Sequence, residues 1–153
     1  MATTVIAENL TVTITESYTL NGVSYGNTMN KTYTSNGEVY QRVMTIASDA
    51  GRASWTNIIN FGAADAAGVA DITNYKYFRI KNLDDTNFLE LRVTGTADSF
   101  FVKIKAGETF LLMDNEIDAA ASSTTIGTLT DITQIGANAN TAAIDIEFVC
   151  VTA

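Results

Sequence analysis

Hydrophobic and polar residues alternate early in the chain, with Leu10, Val12 and Ile14 on one side and Thr11, Thr13 and Thr15 on the other, and the pattern runs to Leu20. A period of two is the mark of a strand with one apolar face. Asn21-Gly22 follows, a pair that accepts the positive φ values of a type I′ turn, so residues 9 to 20 and 23 to 34 are predicted to form a hairpin. Asn36-Gly37 repeats the turn signal before EVYQRVMTI at 38 to 46, which extends the prediction to an antiparallel meander over the first third.

A short strand is expected around Trp55 to Asn60, and the Gly/Ala-rich stretch FGAADAAGVADITN at 61 to 74 suits a long loop or one helical turn. Strands are predicted at 75 to 81, 86 to 94, 99 to 105 and 108 to 113, with turns at Asn82 to Asp85 and Ala106-Gly107. Within them Leu89, Leu91 and Val93 oppose Glu90 and Arg92, while Val102 and Ile104 oppose Lys103 and Lys105. DAAASSTT at 118 to 125 reads as a second loop of small residues or a brief helix, before final strands near 126 to 135 and 142 to 152. About nine or ten short strands with no long helical period describe one all-β domain over the whole chain, a sandwich or a barrel.

Composition agrees. A chain of 153 residues suffices for a self-standing core, and 46% hydrophobic with 17% charged residues excludes an acidic disordered chain. The net charge of -8 argues against a nucleic-acid partner, since phosphate binding needs a cationic footprint. The N-terminal MATTVIAENL lacks the basic start and apolar core of a signal peptide, and no run approaches a membrane span, so a soluble protein made in a cytosol is expected, with no membrane partner.

Candidate chemistry is thin. There is no histidine and one cysteine, Cys150, which shares a strand face with Ile144, Ile146 and Phe148 and is expected to be a buried structural thiol. Gly22-Val23-Ser24-Tyr25-Gly26 matches the nucleophile-elbow spacing, but without a histidine to take the serine proton it is read as a turn coincidence. Asp114, Glu116 and Asp118 have the alternate spacing that opens a calcium loop, yet Ala119 and Thr125 stand where that loop needs Gly and Glu. They are read, like Asp84 and Asp85, as a solvated acidic turn. No catalytic, cofactor-binding or metal-ligating residue is expected.

Two groups point to association instead. Lys76, Arg79, Lys81, Arg92, Lys103 and Lys105 hold six of the nine basic residues, read as cross-strand partners of nearby acids or as a docking patch for an acidic surface. Tyr75, Tyr77, Phe78, Phe88, Phe100, Phe101 and Phe110 crowd the same region, and adjacent pairs such as Phe100-Phe101 must point to opposite faces, which predicts a subunit or partner interface. The small-residue loops at 61 to 74 and 118 to 125, with Ala67 and Ala121, are the expected interface elements.

ESYTLNGVSYGNT at 16 to 28, NGEVYQRVMTI at 36 to 46, and KYFRIKNLDDTNFLELRV followed by FVKIKAGETFLL resemble small virion structural proteins of tailed phages, notably marine and cyanobacterial ones. The core of the resemblance is the turn made by Asn82, Asp84, Asp85, Thr86 and Asn87, followed by Lys105 to Phe110. It implies an antiparallel β-sandwich, jelly-roll-like, without enzymatic activity or cofactor. It further implies a capsid decoration (cement) protein located in the virion, bound to the major capsid protein as a homo-oligomer, with a trimer favoured. Two alternatives are a tail, neck or fibre-associated adaptor, and a host-glycan-binding module, the latter needing a polar groove with an exposed aromatic such as Trp55.

Overall fold

The computed structural model describes residues 8–63, 68–71, 75–113, 116–118 and 127–152. Among them are twelve strands and no helix: β1 (Glu8–Leu20), β2 (Val23–Asn36), β3 (Glu38–Ile46), β4 (Thr56–Gly62), β5 (Ala70–Asp71), β6 (Tyr75–Asn82), β7 (Leu89–Gly95), β8 (Ser99–Ile104), β9 (Thr109–Leu112), β10 (Glu116–Ile117), β11 (Thr130–Ala139) and β12 (Ile144–Thr152). The number exceeds the nine or ten expected partly because β5 and β10 are two-residue strands.

Eight strands build a sandwich. One sheet runs β3-β12-β6-β9 and the other β4-β11-β7-β8, with β5 added in parallel beside β4 and β10 beside β11. Taken first to eighth along the chain, the sheets read first-eighth-third-sixth and second-seventh-fourth-fifth. That is the jelly-roll order, in which the chain repeatedly crosses between the two sheets.

The core lies between them. Leu89, Leu91 and Val93 of β7 and Ile132 and Ile135 of β11 are fully buried, facing Ile46, Phe78, Ile80 and Ile146 of the other sheet. The alternation in β12 is as the sequence implies, with Ile144, Ile146, Phe148 and Cys150 inward. Burial pushes the Cys150 thiol up to about 12, so it stays protonated at neutral pH.

The end of the sandwich carrying the NLDDTN turn is knitted by side chains. Asn82, fully buried, donates from Nδ2 to the carbonyls of Asn87, Ile104 and Lys105 at 2.9, 3.3 and 3.2 Å, while its Oδ1 accepts the Asp84 N–H at 3.0 Å. Asp84 in turn accepts the Thr86 N–H at 2.8 Å, and its carbonyl accepts the Gly107 N–H at 3.1 Å. Gly107 takes a φ of 72°, the left-handed value its turn needs. The motif residues are therefore a corner brace between the β6–β7 and β8–β9 connections.

The first third departs from the expected meander. β1 and β2 form the predicted hairpin, with Asn21 and Gly22 at φ 49° and 78° as a type I′ turn requires. No hairpin forms at Asn36-Gly37: β2 pairs with β1 and not with β3, which pairs instead with β12 along its length. The reason is burial: Tyr40, Met44 and Ile46 on β3 are apolar at every second or fourth position, and only the sandwich can cover them. The hairpin is thus a separate two-stranded ribbon.

Candidate functional site

Two surfaces stand out, one on the outer face of the β4-β11-β7-β8 sheet and one along the ribbon. The first begins with the loop between β3 and β4. Asp49 accepts the N–H groups of Gly51 and Ser54 at 2.9 and 2.7 Å and the Ser54 hydroxyl at 2.9 Å, and the Ser54 bonds foremost hold its carboxyl below the usual range. The buried Asn138 of β11 clamps the same residue, accepting the Asp49 N–H at 2.8 Å and donating to its carbonyl at 2.9 Å. So fixed, the loop carries Arg52, at a φ of 52°, and Trp55 onto the sheet.

There Arg52 forms a two-pronged ion pair with Glu90, Nε to Oε2 at 2.7 Å and Nη2 to Oε1. The Arg52 hydrogen bond foremost holds the Glu90 carboxyl below its usual range. Arg92 lies 5.0 Å from the centroid of the Trp55 ring and donates to Gln134 at 3.2 Å. Trp55 and Phe101 sit 5.6 Å apart at a 45° tilt, and Phe101 is 63% exposed. Arg52, Glu90, Trp55 and Phe101, with Val102 and Lys103, line a cleft of about 390 Å³ that presents two cations, one carboxylate and two aromatic rings, and Arg92 packs on the Trp55 ring beside it.

The second surface follows from register. Leu10↔Tyr33, Val12↔Lys31, Ile14↔Met29, Glu16↔Asn27, Tyr18↔Tyr25 and Leu20↔Val23 are directly opposed pairs, so all twelve side chains share one face of the ribbon. The other face is a hydroxyl and amide ladder, with Thr11–Thr32 at 3.3 Å, Thr13–Asn30 at 2.8 Å and Thr15–Thr28 at 3.3 Å. Near its base the apolar face meets Met113 across a cleft of about 290 Å³ lined also by Val12, Ile14, Met29 and Tyr33. Towards the tip it is bare: Tyr18, Leu20 and Val23 are 59%, 58% and 54% exposed.

The sequence-level candidates scatter accordingly. Ser24 stands opposite Thr19 on the polar face of the ribbon, where it has no base or acid beside it among the described residues. The basic cluster divides between two sheets: Arg92 and Lys103 reach the aromatic cleft, whereas Arg79 pairs with Glu147 at 2.6 Å on the opposite side of the molecule. Phe100 packs on the core while Phe101 faces outward, as their adjacency requires. Asp84 and Asp85 line an open hollow with Asp145, and no group of three or more metal-ligand side chains occurs among the described residues. Asp114, Ala67, Ala121 and most of the loop at 118 to 125 lie outside the described residues.

Sequence reasoning missed the Arg52–Glu90 pair, whose partners are far apart in the chain and carry no shared motif. It foresaw the hairpin but not that the apolar face would lack cover. No helix among the described residues is long and apolar enough to cross a membrane. No family model matches the chain, and neither a curated protein nor a solved structure matches it.

Proposed function

We propose that the chain is a non-enzymatic structural protein of a tailed-phage virion, a decoration protein that binds the outer surface of the major capsid protein and ties neighbouring shell positions together. The observation that carries this reading is the ribbon. A two-stranded hairpin is marginal in water by itself, and this one turns a long apolar face to solvent, so its stable setting is an assembly. The jelly roll supplies a rigid body for such an arm, and jelly rolls serve in viral shells as well as in lectins. The motif of the phage resemblance braces one corner of that body, in keeping with a mechanical role.

Cryo-electron microscopy of the virion carrying the protein tests the reading. Copies distributed over the icosahedral lattice and bridging capsid subunits are expected; copies confined to the neck, tail or fibres would replace decoration by the adaptor role.

A second reading, a module for host glycans, rests on the cleft of Trp55, Phe101, Arg52 and Glu90. Aromatic walls with a few fixed polar groups are the makings of a small-ligand site. Trp55 is the one tryptophan of the chain, so its fluorescence reports on this cleft alone. Saturable quenching by an oligosaccharide, abolished in Phe101→Ala, would favour this reading, and an unchanged spectrum across a glycan panel would remove it.

A further inference from the structure

We infer that the ribbon is a homotypic interface: two copies pair the apolar faces of their hairpins, running antiparallel about a twofold axis centred on the Ile14–Met29 pair. The pairing deepens the assembly reading by naming the arm's partner, a second copy of this chain, but it needs no virion to occur.

The first support is the need for cover. Edge-to-edge pairing of two ribbons would leave both apolar faces in water, because strands joined at an edge keep the same face outward. Stacking face on face covers both at once over the length they overlap. Centred on Ile14–Met29, the two faces overlap from Leu10 to Tyr18, ~27 Å at the usual rise per residue, and the Leu20–Val23 level of each tip extends past the base of the other.

Charge then selects the register and the symmetry. Between Leu10 and Tyr33 the apolar face carries two charged residues, Glu16 in the pair Glu16↔Asn27 and Lys31 in the pair Val12↔Lys31. These two levels lie immediately on either side of Ile14↔Met29. An antiparallel twofold through that central level lays the Glu16 level of each ribbon over the Lys31 level of the other, diagonally across the strands. Each charge then meets its opposite on the other copy, giving two ion pairs in one closed, self-complementary contact.

The same register brings Tyr18 and Tyr25 of one copy to the base of the other, beside Met113, which is 38% exposed. Sulfur against aromatic rings suits that junction. In a trimer, the oligomer that the phage resemblance favours, parallel ribbons gathered about a threefold axis would instead bring equal levels together, Glu16 with Glu16 and Lys31 with Lys31. The charge pattern speaks for two copies per interface.

Sedimentation equilibrium of the full chain, over a range of concentrations, reads the pairing directly. The expected result is twice the chain mass of 16.4 kDa. Glu16→Lys and Lys31→Glu, each alone, place like charges together twice per dimer and should each weaken self-association at least tenfold. Mixing the two variants should restore a dimer that is a heterodimer, because one copy then carries lysine at both positions and the other carries glutamate at both. Both substitutions lie on exposed ribbon positions, and far-ultraviolet dichroism checks that the sandwich is intact. A monomer at all concentrations, a trimer, or a dimer indifferent to both substitutions and to their mixing would overturn the pairing. The decoration reading fails on a different result, the location of copies in the virion.

Discussion

The sandwich and the ribbon are written in the same alternating code, yet they end in opposite circumstances. β7 buries Leu89, Leu91 and Val93 against a facing sheet, while the ribbon exposes Tyr18, Leu20 and Val23. Both turn most of their apolar side chains to one face, although the ribbon's also carries Glu16, Asn27 and Lys31. The difference teaches that alternation specifies a face to be covered, and that covering it within the same chain marks a core whereas leaving it bare marks an interface.

Breaking the sandwich side of the comparison should cost most. Phe78 is fully buried and lies 6.2 Å from the Phe148 ring, so Phe78→Ala should lower the unfolding free energy by about 3–5 kcal/mol, read from urea titration. Asn82→Ala, which strands three carbonyls at the braced corner, should cost about 1–3 kcal/mol in the same assay.

Acid should act on the same corner. The Asn87 and Thr86 N–H groups, in that order, hold the Asp84 carboxyl below its ordinary 3.8. A depressed folded pKa means the stabilisation is complete above the unfolded value and is lost as pH falls through the folded one. The urea midpoint should therefore drop below about pH 4, and part of that drop should vanish in Asp84→Asn. A drop of the same size in Asp84→Asn would show that other carboxylates carry it.

The ribbon should barely register in such measurements. Tyr25→Ser at the tip, assayed at low concentration where the chain is monomeric, should shift the unfolding free energy by no more than ~0.5 kcal/mol. A loss comparable to that of Phe78→Ala would mean that the tip is buried within its own chain and would erase the contrast.

The fold was legible wherever the signal was local. Asn21-Gly22 declares its turn because two adjacent residues need positive φ, and β7 declares itself by the strict alternation of Leu89, Leu91 and Val93 with Glu90 and Arg92. Asn36-Gly37 carries the same letters and joins no hairpin, since the pull on β3 comes from β12, about a hundred residues onward. The aromatic cleft was only partly legible. Trp55, Arg92 and Phe101 were visible as candidates, but Arg52 meets Glu90 only because Asn138 clamps the intervening loop.

By itself, then, the sequence determined the strands, most of their turns and which face of each is apolar, all of which depend on neighbours along the chain. The tertiary structure decided which strands pair, that the sheets close as a jelly roll, and that one hairpin is left outside it. Burial is non-directional and rewards any cover for an apolar face, so the choice of cover is made by the three-dimensional packing of distant segments and not by the pattern that demands it.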